Sequence, residues 1–79
     1  MAIPTNSETW LTRRSGASAL TEAGYPTASA TLAALASRGG GPLYRRYGAR
    51  VLYRWGDLRD WAESRLTTPK RSTSEADAA

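Results

Sequence analysis

Apolar residues recur at helical spacing in the first third of the chain. Ala17, Leu20 and Ala23 lie three apart and fall on one face of a predicted helix. We expect this helix over residues 13–23, because a threonine suited to capping precedes it and a glycine suited to termination follows it. Gly16 lies inside it, which costs about 1 kcal/mol relative to alanine. Either a neighbour packs closely against this glycine or the helix is weak.

A second, alanine-rich helix is predicted over residues 27–37. Its two leucines lie three residues apart, and Thr27 or Ser29 can cap its start. The run Arg-Gly-Gly-Gly-Pro at 38–42 then stops it, because three glycines and a proline cannot continue a helix. Two short helices joined by a turn are therefore expected before residue 38.

The pattern changes to that of strands after residue 42. Residues 43–47 and 50–54 mix aromatic and β-branched residues with arginines, and Gly48-Ala49 between them fits a two-residue turn. Alternation along the second strand predicts one apolar and one basic face. These faces hold Val51, Tyr53 and Trp55 on one side and Arg50, Leu52 and Arg54 on the other. The segment is predicted to form a β-hairpin.

A last helix is predicted over residues 58–66, where leucine, tryptophan and alanine recur at helical spacing and Asp57 can serve as the cap. The order helix, helix, hairpin, helix predicts a small α+β domain of the winged helix-turn-helix type, with the hairpin as the wing. Four large aromatic side chains are expected to fill its core: Trp10, Tyr44, Tyr53 and Trp61. For Tyr47 and Trp55, both core and surface positions stay open.

The two ends differ in composition from the middle. Residues 1–9 are polar around Pro4, and residues 67–79 contain no leucine, isoleucine, valine or aromatic residue. Because neither stretch can bury much apolar surface, we expect a flexible N-terminus and a disordered C-terminal tail. Residues 10–66 are left to form the folded domain, which at this size is only marginally stable.

Composition argues against catalysis. The 79 residues include no cysteine and no histidine, so the chain lacks thiol nucleophiles, imidazole bases and the usual zinc ligands. Only carboxylates are left, and those of residues 57–63 are explained as a helix cap and a surface ion pair. We therefore expect no enzymatic activity, no metal and no cofactor.

Neither a membrane span nor a secretion signal is predicted. No apolar run approaches the length of a membrane-spanning helix, and the N-terminus has neither the basic nor the apolar segment of a signal peptide. We expect a cytoplasmic protein with no membrane partner.

The positive charge is concentrated in one part of the chain. The net charge of +4 comes from 11 basic and 7 acidic residues, and all basic residues but one are arginines. Five of them follow one another without an intervening acid: Arg38, Arg45, Arg46, Arg50 and Arg54. Guanidinium groups bind phosphates and guanine edges in a bidentate manner, so the cluster favours DNA as a partner. The alternative is that these arginines only solubilise a hairpin, although a solubilising surface normally mixes charges of both signs.

The second predicted helix offers small side chains to such a partner. Their hydroxyl and methyl groups suit phosphates and thymine, and Arg38 just beyond them is a long donor. Arg13 and Arg14, at the start of the first helix, extend the positive field. The alternative is an ordinary small-residue helix that packs in a core.

Five short motifs occur in a specific order: Leu11-Thr12-Arg13-Arg14, Thr31-Leu32, Gly41-Pro42-Leu43-Tyr44, Arg50-Val51-Leu52-Tyr53-Arg54 and Asp57-Leu58-Arg59-Asp60-Trp61. In this order the chain resembles the small MerR-type winged-helix proteins, which include the excisionases, or recombination directionality factors, and the AlpA-like regulators. The resemblance covers residues 10–66. It implies that the second helix enters the major groove of double-stranded DNA and that the wing contacts an adjacent minor groove or the backbone.

Carried over by position, the resemblance implies three groups of DNA-binding residues. The recognition region holds Thr27, Ser29, Ala30, Thr31 and Arg38, and the wing holds Arg45, Arg46, Arg50, Leu52 and Arg54. Contacts to the DNA backbone fall to Thr12, Arg13 and Arg14. Two positions depart from the family pattern: Ala28 stands where related sequences often have a serine cap, and Gly16 where alanine is usual.

The function implied by the resemblance is that of an excisionase. Such a protein binds and bends DNA with a preference for sequence, several copies side by side, and assists a tyrosine recombinase in excising an integrated element. Its place would be the nucleoid of a bacterial cytoplasm. Two alternatives stay open: a transcriptional regulator that uses the same surface, and a protein-interaction module with a basic hairpin.

Overall fold

A computed structural model describes residues 3–67 and residue 69. Over these residues the chain has three helices and one three-stranded antiparallel sheet, which confirms the predicted α+β class. In chain order the elements are β1 (Trp10–Thr12), α1 (Arg13–Glu22), α2 (Ser29–Arg38), β2 (Arg45–Tyr47), β3 (Arg50–Arg54) and α3 (Trp55–Ser64). The predicted disordered tail, residues 67–79, lies almost entirely outside the described residues.

Helix α1 begins where the sequence predicts. The Thr12 hydroxyl oxygen accepts a hydrogen bond from the Ser15 backbone N–H at 3.1 Å, which satisfies one of the first-turn donors. The helix ends at Glu22, one residue before the predicted end, and Gly24 follows with φ +103°. This left-handed conformation favours glycine, so the predicted stop is confirmed.

The predicted start and cap of α2 are wrong. The helix begins at Ser29, and its N-cap is Ala28, whose side chain cannot accept a hydrogen bond. Thr27 cannot cap α2 because its side chain and its backbone N–H both form hydrogen bonds with residues that precede it. Its hydroxyl donates to the Tyr25 carbonyl at 2.8 Å, and its backbone N–H donates to the Thr21 hydroxyl at 3.2 Å. The helix ends before the glycine run, as predicted.

The hairpin is confirmed, with a first strand shorter than predicted. Strand β2 omits residues 43 and 44 and pairs antiparallel with β3, so that Arg45 lies opposite Leu52 and Tyr47 opposite Arg50. Gly48 begins the two-residue turn with φ +62°, a conformation that glycine adopts at little cost.

Strand β1 is a feature that the sequence patterns missed. It pairs antiparallel with β3, with Trp10 opposite Arg54 and Thr12 opposite Leu52, and makes β3 the central strand in the order β1-β3-β2. Side chains opposite each other across a sheet share a face. The pairing therefore places Trp10 on the same face as Arg54, and Leu11 on the opposite face with Tyr53.

The prediction that Asp57 caps α3 is also wrong. The helix begins three residues earlier, at Trp55, and ends two residues earlier than predicted, while Asp57 lies in its first turn. No side chain caps this start. Instead, the backbone N–H groups of Trp55 and Gly56 donate to the carbonyls of Thr9 and Ser7, at 2.9 and 2.8 Å. The described part of the N-terminal segment thus supplies the acceptors that let α3 start directly after β3.

One hydrophobic core lies between the helices and one face of the sheet. The buried apolar residues of the described chain are Ala17, Ala19, Leu20, Leu32, Tyr53, Trp55, Leu58 and Ala62. Gly16 belongs to this packing, since a Cβ built on it would lie 2.9 Å from Leu58 Cδ1. Of the two explanations offered for this glycine, the close neighbour is the one that the structure supports.

The predicted burial of the aromatic residues is confirmed only in part. Tyr53 is fully buried, and Trp55, whose position was open, also lies in the core. Trp10 and Tyr44 were expected inside but are 42% and 43% exposed. The register of β1 puts Trp10 on the face of the sheet that points away from the core. Trp61 is half-buried, and its indole N–H donates to the Gly40 carbonyl at 2.9 Å.

Across residues 3–67, no helix is long and apolar enough to cross a membrane.

Candidate nucleic-acid interface

Helix α2 turns one apolar side inward and a polar, small-residue side outward. Leu32 is fully buried, and the main packing partner of the helix is α1. The exposed residues of α2 are Ser29, Ala30, Thr31, Ala34, Ser37 and Arg38. A helical surface made of such small side chains allows its backbone to approach another surface closely, and the guanidinium at its C-terminal end adds a long donor.

One side of α1, along its whole length, and the start of α2 border a shared groove. Arg14, Ser18 and Glu22 line it from α1, and Thr27 and Ser29 line it from the other side. Arg14 is exposed, whereas Thr27 is half-buried and held in the turn. Two of the residues predicted to contact DNA, Arg14 and Ser29, therefore line the same groove. The groove also contains the carboxylate of Glu22, which was not predicted to be there.

Two of the residues predicted to contact the DNA backbone have partners within the fold. The Thr12 hydroxyl is the N-cap of α1. The Arg13 Nε donates to the hydroxyl oxygen of the buried Tyr53 at 3.2 Å. This hydrogen bond fixes the Arg13 side chain against the core, so of the three residues Arg14 is the one with an exposed, unconstrained guanidinium.

The arginines of the hairpin do not share one face. Arg45, Arg46 and Arg50 are all exposed. Arg45 lies opposite Leu52 and Arg50 lies opposite Tyr47, which places these two arginines on the face that points away from the core. Arg46 lies opposite Val51 and so points to the other face. The predicted grouping of Arg50, Leu52 and Arg54 on one face is confirmed.

Arg54 differs from the other hairpin arginines because it is held inside the fold. Its Nη1 lies 3.3 Å from Glu8 Oε1, and its guanidinium lies over the Trp10 ring, 5.1 Å from the centroid. Glu8 offsets its charge. We therefore expect Arg54 to contribute less to the binding of an anion than Arg45 or Arg50 does.

The sequence placed Trp10 in the core and left Tyr47 open, and both lie at the surface. Tyr47 is 74% exposed next to Arg50, and Trp10 is exposed on the same face of the sheet. Period-two alternation in the segment Trp10–Thr12 was the available signal, since it puts Leu11 inward and Trp10 outward. A three-residue strand is too short for that signal to stand out from the sequence alone.

Comparisons with protein-family models, with curated proteins and with solved structures found no match. The functional assignment therefore depends on the geometry and charge of this chain.

Proposed function

We propose that the protein binds double-stranded DNA, with α2 against the major groove and the hairpin arginines against the backbone. The observation that carries this proposal is the run from Arg38 to Arg54, in which every charged residue is an arginine and four of the five guanidiniums are exposed. A polyanion is the partner that such a surface suits best, because neutralised phosphates release their counterions.

The exposed side of α2 supports the proposal that this helix binds in the major groove. The helix has ten residues and is thus about 15 Å long. Before Arg38 at its end it carries no bulky side chain on its exposed side, so it can enter a groove about 12 Å wide. Arg14 lies beside its start and Arg38 at its end, and we expect these two guanidiniums to contact phosphates on either side of the groove. Base discrimination through small residues is modest, so DNA shape is expected to contribute.

The role of an excision factor is the finer proposal. It is supported by the resemblance of residues 10–66 to the MerR-type excisionases, which implies a tyrosine recombinase as the client. A transcriptional regulator would use the same DNA surface. Gel shifts on lengthened, phased sites separate the two, because stepwise complexes with bending favour an excision factor and a single complex without bending favours a simple regulator.

Salt dependence tests the DNA proposal itself. Anisotropy titrations of a labelled 20-bp duplex between 50 and 200 mM salt should give a log-log slope of about −3 to −5, from four to five neutralised phosphates. Arg38→Ala and Arg50→Ala should each reduce this slope by about one. Arg59→Ala on α3 removes the same charge outside the proposed surface and serves as the matched control. A flat slope, or no duplex binding at 50 mM salt, would refute the proposal.

A further inference from the structure

The sheet has a face that the proposed DNA contacts of α2 do not use. The register places seven side chains on the face that points away from the helices. Two of them are engaged within the fold: Thr12 caps α1, and Arg54 pairs with Glu8. We call the other five the outer sheet face: Trp10, Arg45, Tyr47, Arg50 and Leu52. None of the five is fully buried, and in a chain this small an exposed tryptophan beside an exposed tyrosine is a feature to explain.

These side chains form a shallow, mostly apolar depression. Trp10 and Tyr47 border it, Leu52 of the central strand lies between them, and Arg45 and Arg46 complete its lining. Tyr47 is 74% exposed at the hairpin end, where Arg50 lies directly opposite it. The depression thus combines flat rings with guanidiniums that have no acid nearby in sequence.

Unpaired nucleotides are the ligand that fits this combination. Each base offers a flat surface that stacks on an aromatic side chain, and each phosphate offers a charge for an arginine. In duplex DNA the bases are stacked on one another and their faces are inaccessible. The aromatic residues of the outer sheet face are therefore suited to single strands and not to the double strand.

The charges of this face disfavour a second copy of the chain. Arg45 and Arg50, which form no ion pair with another described residue, would approach those of the other copy if the faces packed together. Of the acids near the face, Glu8 already pairs with Arg54 at 3.3 Å, and Asp57 lines a neighbouring depression with Arg45 and Arg54. A polyanion meets both arginines without this repulsion.

We infer that the outer sheet face binds single-stranded nucleic acid, with a base stacked on Tyr47 and phosphates at Arg45 and Arg50. Trp10, whose ring already has the Arg54 guanidinium over it at 5.1 Å, borders the site. The footprint is small. Three strands about 4.8 Å apart, of which the longest has five residues and spans about 17 Å, cover only about two or three nucleotides, so the affinity of one copy is expected to be weak. This site shares its hairpin arginines with the proposed duplex surface, but Tyr47 takes no part in the proposed duplex contacts, so substitution of that ring separates the two.

The test uses the whole chain with labelled dT12 and U12 at 50 mM salt, read by fluorescence anisotropy. Tyr47→Ala should weaken binding at least about fivefold, since stacking on that ring is lost. Tyr47→Phe keeps the ring and should bind within about twofold of the wild type. Leu66, an apolar residue beyond α3, is 64% exposed, and Leu66→Ala is the matched control that should change nothing. The tighter of the two oligonucleotides identifies DNA or RNA as the preferred strand.

A parallel titration with a 20-bp duplex separates this inference from the proposed function. Tyr47→Ala should leave duplex binding within about twofold, while Arg38→Ala should weaken duplex binding and leave dT12 binding unchanged. Wild-type affinity of Tyr47→Ala for both oligonucleotides, or no binding of either strand at 50 mM salt, would overturn the inference. A monomer–dimer equilibrium in analytical ultracentrifugation that Tyr47→Ala abolishes would assign the face to a second copy and would overturn it as well.

Discussion

Gly16→Ala should destabilise the protein although alanine is the better helix former. In an unobstructed helix the change would gain about 1 kcal/mol. Here the new methyl carbon would lie 2.9 Å from Leu58 Cδ1, well inside van der Waals contact, and Leu58 is fully buried. Overpacking of this kind costs about 1–3 kcal/mol. We therefore expect a net loss of about 1 kcal/mol, which lowers the Tm of a domain of this size by about 4–8 °C.

Thermal and urea unfolding followed by circular dichroism measure this loss. The matched background is Leu58→Met, which keeps the volume but replaces a branched side chain by a flexible one. In that background Gly16→Ala should cost little or become stabilising, because the thioether chain can move away from the new methyl group. A Gly16→Ala protein that is as stable as the wild type or more stable would show that α1 and α3 do not approach each other at Gly16 as described.

Three further substitutions probe contacts other than that between Gly16 and Leu58. The effect of each is measured by urea unfolding. Trp61→Phe removes the indole N–H that donates to the Gly40 carbonyl and should cost about 1 kcal/mol; an unchanged midpoint would show that the glycine loop is not tied to α3. Tyr53→Phe removes the hydroxyl that accepts a hydrogen bond from Arg13 and should cost about 0.5–1.5 kcal/mol of stability. Wild-type stability of this variant would show that the hydrogen bond is absent in solution. Gly48→Ala forces a side chain into φ +62° and should cost about 1–2 kcal/mol, whereas wild-type stability would contradict the turn geometry.

The candidate site was predictable in its composition but not in its geometry. The sequence alone shows the run of arginines from residue 38 to residue 54. Four of them are exposed, as a binding surface requires: Arg38, Arg45, Arg46 and Arg50. The ion pair between Arg54 and Glu8 could not be predicted from the sequence, because it requires β1 and the segment before it to lie beside β3. For the same reason Trp10 was expected in the core and is found on the outer sheet face.

Local patterns by themselves determined the α+β class, the span of α1, the stop of α2 and the hairpin turn. Each of these depends on interactions within a few residues: helical periodicity, a hydroxyl cap, and glycines that adopt a positive φ. Tertiary structure decided the starts of α2 and α3 and the existence of β1. Thr27 is held by the turn, and Ser7 and Thr9 supply acceptors to a helix far along the chain. Hydrogen bonds between segments distant in sequence leave no local periodic signal, so only the folded chain shows which arginines and which rings share a face.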